Sequence, residues 1–462
     1  MKTLFFISTF IFFSGFFSEI QSQIFIGTTE VDTNSIVTNL DTPWEIQWGP
    51  DDHIWFTERF GRISRIHPET GELTELITIA EVYEQGESGL LGMVLHPDFT
   101  QQPFVFVVYT YLESSSIKER LVRYTYADGI LDAPLILLEG IDGAGNHDGS
   151  RLVIDEHQKI FMTTGDAGNG NLSQDLNSLS GKVLRLNLDG TVPDDNPISG
   201  SYLWSWGHRN PQGLVISPDG TMYSSEHGPS SDDEVNIIEK GRNYGWPTVR
   251  GFCDTPTEAQ FCADSNVVEP IAAWTPTLAV AGTDFYHLGR IPEWQNSLLV
   301  TSLKASQLTA LTLSEDGRTV VQEETFFDGW FGRLRDVCIS PDGRVFLAVS
   351  NRDGRGSVRA GDDRIVEIAA VNVSSTAEVR KSDGLKFSVY PNPFGAEGLH
   401  VDYSISEEAV LIVYDQLGRE VIRKALFPSE TQLRIFLPGE SGIYNLVLVS
   451  NEASSHLKVV KL

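Results

Sequence analysis

The chain has 462 residues, with 34 Lys and Arg against 63 Asp and Glu, for a net charge of −29. Its 41% hydrophobic and 21% charged content is that of a globular protein, long enough for one large domain and one small one. So acidic a surface excludes a nucleic-acid partner, whose phosphates need a basic face, and any cluster of Arg and Lys in such a chain points to an anionic ligand.

The first residues, MKTLFFISTFIFFSGFFSEIQSQ, set Lys2 before an apolar run from Leu4 to Phe17, with small and polar residues near Ser22. This is the outline of a secretory signal peptide over residues 1–22, and the run is short for a membrane span. The expected location is secreted or cell-surface.

The body that follows is punctuated by one recurring plan. DDHIWFTE (51–58), HQKIFMTTGD (157–166), DGTMYSSEHG (219–228) and DGRVFLAVSN (342–351) each lead from a polar turn into a short apolar run and out through another polar turn. SPDG occurs at Ser217 and again at Ser340. Runs such as FVFVVYTYL, GKVLRLNLDG and NSLLVTSLK lie between, and long amphipathic helices are hard to find. Short strands, Gly/Asp turns and imperfect repetition predict an all-β domain over 30–370. A β-propeller is favoured over a pair of β-sandwiches, because radial blades protect their sheet edges. Cys253 and Cys262 flank a short polar segment and are expected to bridge if the chain is exported, the alternative being two free thiols; Cys338 sits in an apolar run as a buried thiol.

Residues 371–386 are small and polar and read as a linker. From 387 to 462, alternating strands separated by NPFG, DQLG and GESG predict a small β-sandwich. YPNPF, VYDQLGREV, GIYNLVL and the closing LKVVKL make this tail similar to the C-terminal sorting domain of type IX secretion in Bacteroidetes. That resemblance implies the type IX secretion machinery as a partner.

Four groups in the body have chemical potential. His147, in a glycine-flanked turn, is separated by one predicted strand from Asp166. A neutral imidazole accepts a proton near neutral pH and a carboxylate fixes its tautomer, so the two form a base and its orienter if their turns share one end of the sheet. Taken alone, His147 reads more readily as a solvent-exposed loop histidine than as a base. In GHRNPQG, Arg209 offers a fixed charge for a developing oxyanion, or a structural ion pair. Glu226, Asp232, Asp233, Glu234 and Asp254 gather among glycines, as a hard cation such as calcium requires, or simply as a solvated acidic loop. Lys304 in TSLKAS is joined by Arg333 and Arg335 in FGRLRDV, which strand alternation places on one face. Two guanidinium groups there need an anion or acidic partners between them.

In combination, GLLGMVLHPDF, NHDGSRLVI, TTGDAGN, GHRNPQGL, SEHGPSSDDEVN, GRNYGWP, SLK and GRLRDV resemble the soluble, pyrroloquinoline quinone (PQQ)-dependent glucose/sorbosone dehydrogenase family, from about Thr42 to Ala369. The resemblance implies a six-bladed β-propeller whose loops hold PQQ and calcium. It implies an aldose oxidised at C1 to a lactone, with electrons passed to an external acceptor. Carried over by position, His147 is the base for the C1 hydroxyl, Asp166 its orienting carboxylate, and Arg209 the arginine beside the quinone carbonyl. Asn210, Lys304, Arg333 and Arg335 match cofactor contacts, and Trp274 corresponds to a tryptophan of the cofactor pocket. The carbonyls of Gly228 and Pro229 match ligands of the cofactor-bound calcium, and Glu234, Tyr244 and Asp254 a structural calcium site. Two positions depart. Glu87 stands where glutamine is common beside substrate and cofactor, and Asn146 precedes the base where an aspartate can occur. The alternatives are a non-catalytic calcium-binding propeller that binds carbohydrate or protein, which has no need of a converging basic cluster, and a lactonase-like propeller hydrolase, which expects metal-centred hydrolysis without a quinone.

Overall fold

The computed structural model describes residues 23–371 and, in the tail, 385–390, 398–405, 409–414, 420–429, 431–437, 442–450 and 454–461. The expected signal peptide and most of the expected linker lie outside the described residues.

Between residues 24 and 370 the strands fall into six antiparallel sheets, five of four strands and one of five. The innermost strands of successive sheets are Pro43–Trp48, Leu90–Leu95, Leu152–Ile154, Pro211–Ile216, Val280–Tyr286 and Leu334–Ile339. Each packs against the next, and Leu334–Ile339 packs back on Pro43–Trp48, so the sheets close into a ring. The N-terminal strand Thr29–Val37 completes the last sheet by pairing with Arg364–Ala370, Val31 opposite Ala370. One sheet thus draws strands from both ends of the domain, which joins the ring by backbone hydrogen bonds.

Burial follows from this arrangement. Leu90–Leu95 is buried at every position, whereas the outermost strand Val320–Phe326 has no fully buried residue. Inner strands lie between the neighbouring sheets of the ring, and outer strands meet water. The two SPDG turns have one conformation. Gly220 and Gly343 sit at φ +88° and +87°, and Ser217 and Ser340 donate their N–H to the carbonyls of Thr221 and Arg344 at 2.9 Å. The left-handed fourth position is where glycine costs least.

Cys253 and Cys262 are disulfide-bonded and Cys338 is buried as a free thiol, as expected. Cys262 lies within a helix, Pro256–Ser265, so the disulfide ties that helix to the turn at Cys253. Thr255 and Glu258 form a reciprocal capping box at its start.

In the tail, strands Leu385–Tyr390, Leu399–Ile405 and Gln432–Ile435 make one sheet, and Glu420–Leu426, Ala409–Tyr414, Gly442–Val449 and Ser454–Lys461 another. Leu399 and Val401 from the first share a core with Leu411, Val413, Leu446 and Leu448 from the second. Among the described residues no helix is long and apolar enough to cross a membrane.

Candidate active site

In each of the six sheets the inner strand runs away from one end of the ring and the second strand returns to it. Loops that enter inner strands and loops that leave second strands therefore meet at that end. The first kind carry Glu87, His147, Arg209 and Arg333; the second carry Arg59, Asp166, His227 to Pro229, Lys304, Asp353 and Arg355. All of these except Asp166 line one cavity of about 520 Å³, within the range of small-molecule sites.

His147 and Asp166 illustrate the rule. Strands Leu152–Ile154 and Lys159–Thr164 form an antiparallel hairpin, Leu152 opposite Met162. The residues before the first strand and after the second are thereby returned to one place. His147 Nδ1 lies 2.8 Å from Asp166 Oδ1. Asp166 is only 2% exposed and is held in turn: Gly168 donates its N–H to Oδ1 at 2.8 Å and the Trp246 indole donates to Oδ2 at 2.9 Å. An ionised carboxylate only accepts, so Nδ1 carries the proton and Nε2 is left as an acceptor on the cavity side. His147 sits at φ +62°, and its carbonyl oxygen would lie 1.7 Å from a Cβ placed on Gly165. Gly165 is thus the residue that lets the two loops close on each other.

The basic residues converge as alternation predicts, with a qualification. Arg333 Nε donates to Asp353 Oδ2 at 2.7 Å, and Arg335 Nη2 to the same oxygen at 3.3 Å. Asp353 is the acidic partner that two neighbouring guanidinium groups require. Even so, the cavity lining holds six basic side chains (Arg59, Arg209, Lys304, Arg333, Arg335, Arg355) against three carboxylates (Glu87, Asp233, Asp353). Lys304 stands at the rim, its Nζ 3.2 Å from the Thr277 hydroxyl. Burial pulls Arg335 down to about 10 and lowers Arg209 from the usual guanidinium range, because each charge has lost water that its carboxylate neighbours only partly replace. His227, half-buried with its Nε2 enclosed beside both arginines, is pushed down to about 3 by loss of water and by their charges, and stays neutral. Arg209 is further fixed by its Nη1 donating to the His227 carbonyl at 3.0 Å, by its guanidinium 5.3 Å from the Trp246 ring, and by its backbone N–H on Glu226.

Several expected residues lie elsewhere. Asn210 is fully buried behind the cavity, where its Oδ1 accepts from the Gly149 N–H at 3.1 Å and ties the His147 loop to the Arg209 turn. Trp274 lies on the outermost strand of the fourth sheet, far from the ring's axis, and its indole donates to Glu323 at 2.8 Å. The tryptophan brought to the site is Trp246. Glu234 and Tyr244 border a smaller adjoining cavity together with Glu226, Gly228 and Pro229, but Asp254 is exposed and not part of it. Burial and the Glu226 charge raise Glu234 to about 8. The Tyr244 hydroxyl is already engaged, donating to the Ile237 carbonyl at 2.6 Å and accepting from the Glu239 N–H at 2.8 Å. Among the described residues no group of three or more His, Cys, Asp or Glu side chains is placed to hold a metal ion. Gly228 and Pro229 line the main cavity, and their carbonyls accept no backbone hydrogen bond from the described residues.

Asp353 and Arg355 had a sequence signal. NRDGRG follows a second strand as TTGDAGN does, so the same strand-to-turn position marks both. Arg59 and His227 follow second strands in the same way.

Known proteins are similar to this chain in sequence and in fold. The family model described as Glucose / Sorbosone dehydrogenase matches residues 40–359. Quinoprotein glucose dehydrogenase B of Acinetobacter calcoaceticus is 33% identical, over 72% of this chain and 88% of its own length. An aldose sugar dehydrogenase of Escherichia coli is 30% identical, over 72% of this chain and 94% of its own. Among solved structures, the PQQ-bound aldose sugar dehydrogenase of Streptomyces coelicolor superposes with a TM-score of 0.65 at 32% identity, covering 74% of this chain and 98% of that one. The span matched by the family model lies in the ring of sheets that carries the cavity, and the chain belongs to the glucose/sorbosone dehydrogenase family.

Proposed function

We propose that this protein is a PQQ- and calcium-dependent aldose dehydrogenase that oxidises a sugar at C1 to its lactone and passes the electrons to an external acceptor. The ring of six sheets is read as a six-bladed propeller and the tail's two sheets as a sorting sandwich for type IX secretion after export by the N-terminal signal. The observation that carries the activity is the His147–Asp166 pair, its Nε2 free, on a cavity with an excess of basic side chains in so acidic a chain.

The residues present fit the cofactor. PQQ has three carboxylates, and the lining has three more cations than anions. Among the described residues Arg209 Nε and Arg335 Nε, both on cavity-lining side chains, are buried without a protein acceptor, and buried donors of this kind normally have one. Arg209, Arg333, Arg335 and Lys304 would hold the carboxylate and carbonyl oxygens, and the Gly228 and Pro229 carbonyls would face the calcium, a cation that takes oxygen ligands. When bound, PQQ supplies the hydride acceptor. His147 Nε2 takes the proton of the C1 hydroxyl, and Asp166 keeps the imidazole in the tautomer that can do so. Arg209 places fixed donors where negative charge develops. For the outer calcium site, Glu234 and Tyr244 border one small cavity, while Asp254 lies apart from it.

Reconstitution tests this. Protein stripped with chelator is given calcium and PQQ singly and together, then assayed for dye reduction with several aldoses. Activity should need both additions. Failure to bind PQQ, or hydrolysis of lactones with calcium alone, would replace this reading with one of the alternatives.

A further inference from the structure

Every carboxylate on an anion-binding cavity must be neutralised or it repels the ligand. Asp233 accepts from the backbone N–H groups of Gly228 at 2.8 Å and Ala279 at 2.6 Å. Asp353 lies between Arg333 and Arg335. Glu87 is different. Among the described residues its carboxylate has one ion-pair partner, Arg355, whose Nη2 is 2.9 Å from Oε1. The two arrive from opposite sides of the first sheet, Glu87 on the loop entering strand Leu90–Leu95 and Arg355 on the loop leaving Val345–Val349.

Both ends of the pair are fixed by their own backbones. Glu87 donates its N–H to the Gly145 carbonyl at 2.9 Å, which joins its loop to the one bearing His147. Gly86, at φ +65°, has no room for a Cβ, which would stand 2.3 Å from that same carbonyl oxygen. Arg355 donates its N–H to Asp353 Oδ1 at 3.0 Å. A single turn, Asp353–Arg355, therefore supplies a carboxylate to two arginines and a guanidinium to one glutamate. Stability does not explain the pair. The side chains are 27% and 67% exposed, and pairs so exposed contribute little to folding.

We infer that Arg355 is a positioning and neutralising residue that lets Glu87 line an anion-binding cavity without opposing its anion. This rests on the proposed PQQ site. Without Arg355, the Glu87 charge keeps only the more distant cations Arg209 and Arg335 as compensation, and its repulsion of an anion in the enclosed part of the cavity is screened less than in bulk water.

The test is an equilibrium titration of PQQ into the calcium-containing, cofactor-free full chain, followed by quenching of tryptophan fluorescence. Wild type, Arg355→Gln, Glu87→Gln and the double variant are compared at low and high salt, with thermal unfolding as a check that each folds. Arg355→Gln should bind PQQ roughly fivefold to tenfold more weakly. Glu87→Gln should bind at least as tightly as wild type, the double variant should return to the Glu87→Gln affinity, and salt should shrink the differences. An Arg355→Gln variant as tight as wild type would overturn the inference. So would a double variant as weak as Arg355→Gln, since Arg355 would then be holding the cofactor itself. If the wild type binds no PQQ, the functional reading falls first and takes this inference with it.

Discussion

His147 is held in a left-handed backbone conformation that non-glycine residues seldom adopt. The surrounding loops impose it. The Ala167 N–H donates to the His147 carbonyl at 3.1 Å, and Gly165 leaves the space for that carbonyl. The constraint aims Nδ1 at a carboxylate that is itself fixed by Gly168 and Trp246. His147→Ala should lower kcat by about 10²–10⁴-fold while PQQ still binds, since the residue acts on the proton rather than on the cofactor. Asp166→Asn should cost a comparable factor, because the amide can donate to Nδ1 and turn the protonated nitrogen toward the cavity. Steady-state kinetics beside a PQQ titration would check both. A His147→Ala variant that retains full turnover would remove the base assignment.

Among the elements, the excursion from Asp166 to Gly181 that carries the orienting carboxylate has little regular structure of its own, one four-residue helical turn at Asn171–Gln174. It is pinned from below by Lys182, the first residue of strand Lys182–Asn187. Lys182 is fully buried and its Nζ donates to the carbonyls of Leu172 at 2.7 Å, Ser173 at 3.1 Å and Ser180 at 2.7 Å. Lys182→Met keeps much of the volume but leaves three carbonyls without their donor. The expected cost is about 2–4 kcal/mol, together with a loss of activity from the loosened Asp166. Thermal unfolding and kcat measured on one preparation would show both changes, and an unchanged Tm would rule out the pinning role.

For the whole molecule, the ring's axis is joined by a buried ionic group. Arg151 Nη1 lies 2.7 Å from Glu45 and 2.9 Å from Asp336, and Nε donates to the Gln212 carbonyl at 2.9 Å. Its guanidinium is 4.4 Å from the Trp44 ring. These partners belong to the inner strands of the first, fourth and sixth sheets, and Arg151 itself precedes the inner strand of the third. Removing the cation strands two buried carboxyls, so Arg151→Met should destabilise the fold by about 3–5 kcal/mol. Burial already raises both Glu45 and Asp336 above the ordinary carboxylate range. A raised carboxyl binds its proton more tightly in the folded state, so its contribution to stability is complete at low pH and lost as pH rises through the folded-state value. Without Arg151 both values rise further. The deficit should therefore be smaller near pH 5 than near pH 8, as denaturant unfolding at the two pH values would show.

Much of this was written in the chain itself. Apolar runs between Gly/Asp turns determine short strands wherever they fall, and the repeated SPDG turn and the charge excess read directly from residue types. His147, Arg209, Lys304, Arg333 and Arg335 were legible because their motifs sit at strand ends, where an antiparallel sheet returns them to one place. Spacing alone could not settle which side chains face the axis. Asn210 turned inward to brace a loop, and Trp274 went to an outer strand while Trp246 took the place under Arg209. The partner of Glu87 was equally hidden, because Arg355 is 268 residues away in the chain and meets it only when the ring closes. Local sequence determines the strands and the chemistry at their ends. Closure of the ring decides which of those ends share a cavity, because contacts between its loops depend on the stacking of whole sheets.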